Sequence, residues 1–90
     1  MIYKDLGKSS IKISALGFGG GIGGAKSDVS DYSRIEPALY KSLDLGVNFI
    51  DTSPVYGNGS SEEIIGTAIK GIREDLVLAT KVLPGKTDYQ

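Results

Sequence analysis

At 90 residues, 40% apolar and 23% charged, the chain has the make-up of one globular domain with a modest core, which excludes a disordered segment or a fibre. Ten basic against eleven acidic residues leave a net charge of −1, without the electrostatic footprint of a nucleic-acid or anionic-membrane binder. The absence of Cys and His removes disulfides, thiol nucleophiles, His-type zinc sites and Ser-His or Cys-His pairs. Chemistry would have to come from Asp, Glu, Lys, Tyr or backbone amides.

The N-terminus, Met1-Ile-Tyr-Lys-Asp-Leu-Gly, has no apolar core of signal-peptide length, and no run approaches the roughly 18 apolar residues of a membrane span. A cytoplasmic protein is the default expectation. Residues 2–13 alternate, with Ile2, Leu6, Ile11 and Ile13 apolar and Gly7-Lys-Ser-Ser at the break, which predicts a β-hairpin with one wet face, acting as a plug or lid. Ala15-Leu-Gly-Phe-Gly predicts a short strand that runs into a glycine cluster, Gly19 to Gly24, and then a polar loop, Lys26 to Ser33.

Ser33-x-x-Glu36 spells a capping box ahead of Ile35, Ala38, Leu39 and Leu43, spaced as one helical face, with Gly46 as the stop. Pro37 lies in the first turn and pushes the expected start a little later. Val47 to Asp51 then predicts a buried strand, rich in β-branched and aromatic residues, that ends on a carboxylate just before Pro54. Ser60 or Ser61 is positioned to cap a second helix, with Glu62 and Glu63 in its first turn, with Ile64, Ile65, Ala68, Ile69 and Ile72 on one side, and fraying at Gly71. Leu76-Val-Leu-Ala-Thr-Lys81 has the composition of a strand covered on both faces. Hairpin, strand, helix, strand, helix, strand argues for an α/β fold with right-handed crossovers and a parallel sheet. The pattern breaks off at Pro84-Gly85 and a polar tail, mid-period.

The spelling G-x-G-x-x-G occurs at Gly19, Gly21 and Gly24, and Gly24-Ala-Lys26-Ser27 resembles a P-loop. Neither phosphate cradle has the helix that it requires behind it. The glycines are better read as a backbone that lets a flat ligand approach closely, against the alternative of a surface loop without a ligand. Asp51, Tyr56 and Lys81 form a sharper set. Groups at the ends of successive parallel strands converge on one rim, where α/β proteins build active sites. A tyrosine is a weak acid at neutral pH, but an adjacent ammonium stabilises its phenolate and a carboxylate anchors that ammonium. Taken singly, an Asp ending a strand is often a turn former, a Tyr after Pro often packs, and a Lys at a strand end usually reaches water.

The run Gly46-Val-Asn-Phe-Ile-Asp-Thr-Ser-Pro-Val-Tyr-Gly-Asn-Gly-Ser-Ser-Glu-Glu-Ile-Ile-Gly66, with Arg73-Glu-Asp-Leu-Val-Leu-Ala-Thr-Lys-Val82 and Leu6-Gly-Lys-Ser-Ser-Ile-Lys-Ile-Ser-Ala-Leu-Gly-Phe-Gly19, closely resembles the aldo-keto reductases. The resemblance implies the N-terminal part of a (β/α)8 TIM barrel, left as an incomplete barrel. It comprises a hairpin over residues 1–14 that closes the barrel's bottom and βα units over residues 15–90, with three parallel strands and two helices. It implies NADP(H)-dependent reduction of a small carbonyl substrate, without metal. Asp51, Tyr56 and Lys81 are then catalytic, with Tyr56 as proton donor; Gly19, Gly20 and Gly21 lie near the nicotinamide and its ribose, and Asp51 also approaches the cofactor.

Two departures stand out. The family's catalytic histidine lies at the end of a fourth strand, and this chain has no histidine. Where the family often has Thr or Ser and then an aromatic after the first glycine, this chain has Gly20 and Gly21, which leaves contacts there to backbone. The chain alone is expected to be partly folded or self-associating through exposed strand edges, and inert. A cofactor-holding or sensory protein with little turnover, or a non-catalytic remnant, are the other readings.

Overall fold

The computed structural model describes residues 1–21 and 29–84. The expected polar tail after Gly85, the Gly24 end of the glycine spelling and residues 22–28 lie outside that range. Its architecture starts from Ile50, which has no exposed surface and stands in the central strand of a three-stranded parallel sheet. This strand, β4 (Phe49–Asp51), pairs with β3 (Phe18–Gly19) and β5 (Val77–Ala79), which places Phe18, Ile50 and Leu78 in one cross-strand row and Gly19, Asp51 and Ala79 in the next. Side chains alternate along a strand, so the first row faces the helices and the second lies on the opposite face.

Two helices cover the Ile50 face, α1 (Ile35–Asp44) and α2 (Ser60–Ala68). Ile35 and Leu39 of α1 and Ile65 of α2 join Ile50, Tyr32, Ile69 and Leu76 in the core, with Phe18, Leu43, Ile64 and Leu78 packed at its margin. Each fully buried aliphatic side chain of this kind stabilises the fold by about 1.5–3 kcal/mol. The α/β class and the order of hairpin, three parallel strands and two helices are as the sequence implies. Among the described residues the three strands form an open sheet, not a closed barrel.

The remaining strands, β1 (Tyr3–Asp5) and β2 (Lys12–Ser14), make the expected antiparallel hairpin. Polar contacts fasten it to the start of β4. Asn48 Oδ1 accepts from the Ser14 amide (2.6 Å), Asn48 Nδ2 donates to the Lys12 carbonyl (3.0 Å), the Asn48 amide donates to Ser14 Oγ (3.0 Å), and the Tyr3 hydroxyl donates to the Gly46 carbonyl (2.6 Å). Ile2, Leu6 and Ile11 stay exposed, so in this chain the apolar side of the hairpin is not the face that holds it.

Several boundaries differ from the sequence expectation, each for a local reason. Val29–Arg34 is a 3₁₀ helix rather than loop, and it runs directly into α1 with Arg34 already in the right-handed helical region (φ −82°, ψ −12°). The chain therefore never takes the extended conformation from which Ser33 could cap, and the Ser33–Glu36 capping box does not form. Pro37 is the third residue of α1, within the first turn, where proline is tolerated. Neither Ser60 nor Ser61 caps α2; Gly59 holds that position at φ +97°. The same helix ends at Ala68, before the fraying point expected at Gly71, so Ile72 lies beyond it and is exposed.

Candidate active site

At the carboxyl end of the sheet, β4 gives out at Asp51 and the chain turns sharply before α2. Tyr56 opens a turn, Tyr56–Gly59, in which Gly57 (φ +61°), Asn58 (φ +55°) and Gly59 (φ +97°) are successive left-handed residues. A Cβ on Gly57 would lie 2.9 Å from the ring of buried Tyr32, so only glycine suits this point on both counts. The turn leaves Tyr56 half-buried at the edge of the core, its ring against the backbone of Gly21, where an added Cβ would lie 3.3 Å from Cζ.

Lys81 lies just past β5 and reaches back over this rim. Its Nζ donates to Asp51 Oδ1 (3.0 Å) and to the Thr52 carbonyl (2.7 Å), and stands 4.8 Å from the centroid of the Tyr56 ring. The structure therefore brings Asp51, Tyr56 and Lys81 together on one rim. The hydrogen bond to Asp51, foremost, outweighs the opposing effect of desolvation and, with a lesser contribution from the Tyr56 phenol, raises the ammonium's pKa above the ordinary lysine value of 10.5. Both ends of the Lys81–Asp51 pair are roughly half exposed, so solvent screens the pair and its contribution to stability is small.

The three glycines differ in what surrounds them. Gly19 is open, with no atom near an added Cβ. Gly20 is buried; its amide donates to the Asp51 carbonyl (2.7 Å), and an added Cβ would meet Ser61 Oγ at 2.6 Å. Gly21 is exposed beside Tyr56. Gly21 thus sets bare backbone beside the phenol, and Gly19, which pairs with Asp51 across the strands, leaves open space on its outer side. No group of three His, Cys, Asp or Glu among the described residues could hold a metal. No described helix is long and apolar enough to cross a membrane.

Sequence reasoning missed two contacts behind the rim. Thr52 and Ser61, both buried, share a hydroxyl–hydroxyl bond of 2.6 Å, and Thr80 Oγ1 donates to Glu62 Oε2 at 2.6 Å. The sequence offers Ser61 as a helix cap and gives Thr52 and Thr80 no role of their own, so their position next to charged residues was the available signal.

Comparison with known proteins agrees with this geometry. A family model described as "Aldo/keto reductase family" matches residues 15–90. A protein of Arabidopsis thaliana named "probable voltage-gated potassium channel subunit beta" is 43% identical over 95 aligned residues, 98% of this chain and 28% of that protein. Aldo-keto reductase YhdN of Bacillus subtilis is 40% identical over 84 residues, 90% of this chain and 25% of that protein. Among solved structures, a thermostable aldo-keto reductase in complex with the inhibitor epalrestat superposes with a TM-score of 0.77 at 44% identity, over 93% of this chain and 32% of that one. The chain thus spans about a quarter to a third of the length of these relatives.

Proposed function

This chain belongs to the aldo-keto reductase family, and on that premise we propose that it forms the N-terminal part of an NADP(H)-dependent reductase that converts aldehydes or ketones to alcohols. The observation that carries the proposal is Lys81 Nζ, held between the Asp51 carboxylate and the Thr52 carbonyl and standing over the Tyr56 ring. When bound, NADPH supplies the hydride to the carbonyl carbon. Tyr56 gives its hydroxyl proton to the carbonyl oxygen, and the Lys81 ammonium stabilises the phenolate left behind. Asp51 holds Lys81 in place and, with Gly19 and Gly21, would border the nicotinamide end of the cofactor, while buried Gly20 would hold the Asp51 peptide behind them. The substrate is a small carbonyl compound.

The test joins residues 1–90 to the remaining barrel of the 44% identical thermostable relative and follows NADPH oxidation with a simple aldehyde. Tyr56→Phe is expected to slow reduction by about 10²- to 10⁴-fold with NADPH affinity nearly unchanged. Unchanged turnover would remove Tyr56 as the donor. The 90 residues alone are expected to be inert, because β3 and β5 end as open edges around an incomplete rim. A second reading, a cofactor-holding subunit with little turnover, is favoured by one observation: the 43% identical plant relative bears the name of a channel subunit. NADPH affinity in the completed barrel with negligible turnover toward a panel of aldehydes would select it.

A further inference from the structure

We propose that Thr52 and Ser61 are positioning residues for Lys81: their buried hydroxyl pair fixes the peptide whose carbonyl receives the lysine's ammonium. The inference rests on the reading of Lys81 as the partner of Tyr56, but its test does not.

Lys81 is exposed, so packing does not hold its head group; two acceptors do. The shorter contact, 2.7 Å, is to the Thr52 carbonyl, and the longer, 3.0 Å, is to Asp51. A backbone carbonyl points wherever its peptide is set, and the Thr52 residue is set from two sides. Its amide donates to the Ala79 carbonyl of β5 (2.8 Å), and its side-chain hydroxyl meets Ser61 Oγ in the first turn of α2 (2.6 Å). Ser61 is fully buried, and the space between it and Gly20 is so narrow that a Cβ on Gly20 would lie 2.6 Å from its oxygen, which leaves the side chain little room to swing. The same helical turn also grips the lysine's own chain, through the Thr80–Glu62 bond one residue before Lys81. The first turn of α2 is therefore a template that places both the ammonium and its acceptor. A reaction that depends on a charge placed beside a phenol is sensitive to shifts of about 1 Å.

The test uses the completed barrel with Thr52→Val, which keeps shape but loses the hydroxyl, and Thr52→Val/Ser61→Ala, which leaves neither hydroxyl unpaired. Thr52→Ser is the conservative control. The titratable groups facing Lys81 among the described residues are Asp51 and Tyr56; they and Glu62 are unchanged throughout. Titration of the Lys81 side chain by nuclear magnetic resonance is expected to move to lower pH in both hydroxyl-deficient variants. With it, kcat falls about tenfold while KM stays nearly constant. Thr52→Ser retains both properties. Should Thr52→Val fail to fold, the double variant gives the same readout. An unchanged Lys81 titration in the folded double variant would overturn the proposal, whatever the rate does. Full turnover in Lys81→Met, with the titration shift of the other variants intact, would instead overturn the functional reading and leave the positioning of Lys81 standing.

Discussion

Replacing Gly20 by alanine puts a methyl carbon 2.6 Å from Ser61 Oγ, 3.0 Å from the Asp51 carbonyl oxygen and 3.0 Å from Ile65 Cδ1. None of these can withdraw freely. The serine oxygen is bonded to Thr52, the carbonyl belongs to β4 and accepts from Gly20 itself, and Ile65 is core. Reaching ordinary contact would move Ser61 Oγ by about 0.8 Å, enough to break its bond to Thr52. Overpacking of this kind costs about 1–3 kcal/mol, and a buried hydroxyl left without its partner about 1–3 kcal/mol more. The stiffer unfolded chain of the alanine variant offsets about 0.4–1 kcal/mol. The net expectation is a loss of about 1–5 kcal/mol, a large part of a typical domain's stability. Urea unfolding of the completed barrel measures it, with Gly19→Ala as the matched control, since nothing lies within 4 Å of a Cβ there. The control is expected to fall within about 0.5 kcal/mol of the unmodified protein. Equal midpoints for the two variants would refute the argument that Ser61 and β4 close off the space beside Gly20.

Asn48→Ala removes the two side-chain hydrogen bonds that Asn48 makes to the hairpin, leaving its backbone bond to Ser14 Oγ, and is expected to cost about 2 kcal/mol, read as faster amide exchange at Ser14. Gly57→Ala forces a left-handed alanine against the Tyr32 ring and is expected to lower the melting temperature by several degrees, whereas Gly66→Ala, with open space around it, is not. Because the folded state raises the pKa of Lys81, the contribution of its ammonium to stability is complete below the unfolded value near 10.5 and is lost as pH rises through the higher folded value. Asp51→Asn removes the foremost cause of that shift, so the two proteins should differ less in stability above this range than at pH 8; a constant difference would contradict it.

The rim was legible because its letters are chemical. Asp51 ends an apolar run, Pro54 stops the strand, and Lys81 closes the next apolar run, so the alignment of strand ends on one side of a parallel sheet brought them together. The Ile35–Leu39 period and the stop at Gly46, where φ reaches +97°, likewise survive in α1. What failed was the assignment of hydroxyls. Ser33 and Ser61 spell caps, but the first stands in a turn that is already helical and the second is drawn to Thr52. Gly20 resembles its neighbours in the sequence, yet it is confined by Ser61, 41 positions further along the chain. The Thr52 carbonyl was invisible for a simpler reason: a backbone acceptor has no letter of its own.

The hairpin is tied down by Asn48 and Tyr3 at the amino end of β4, while Lys81 and its acceptors stand at the carboxyl end. A single strand of three residues separates the two sets of bonds. Loss of an anchoring bond at the amino end therefore removes no bond of the rim, and loss of a rim bond removes none of the anchorage. Two neighbouring stretches of one short chain in this way carry separate duties, one fastening the hairpin and the other placing an ammonium.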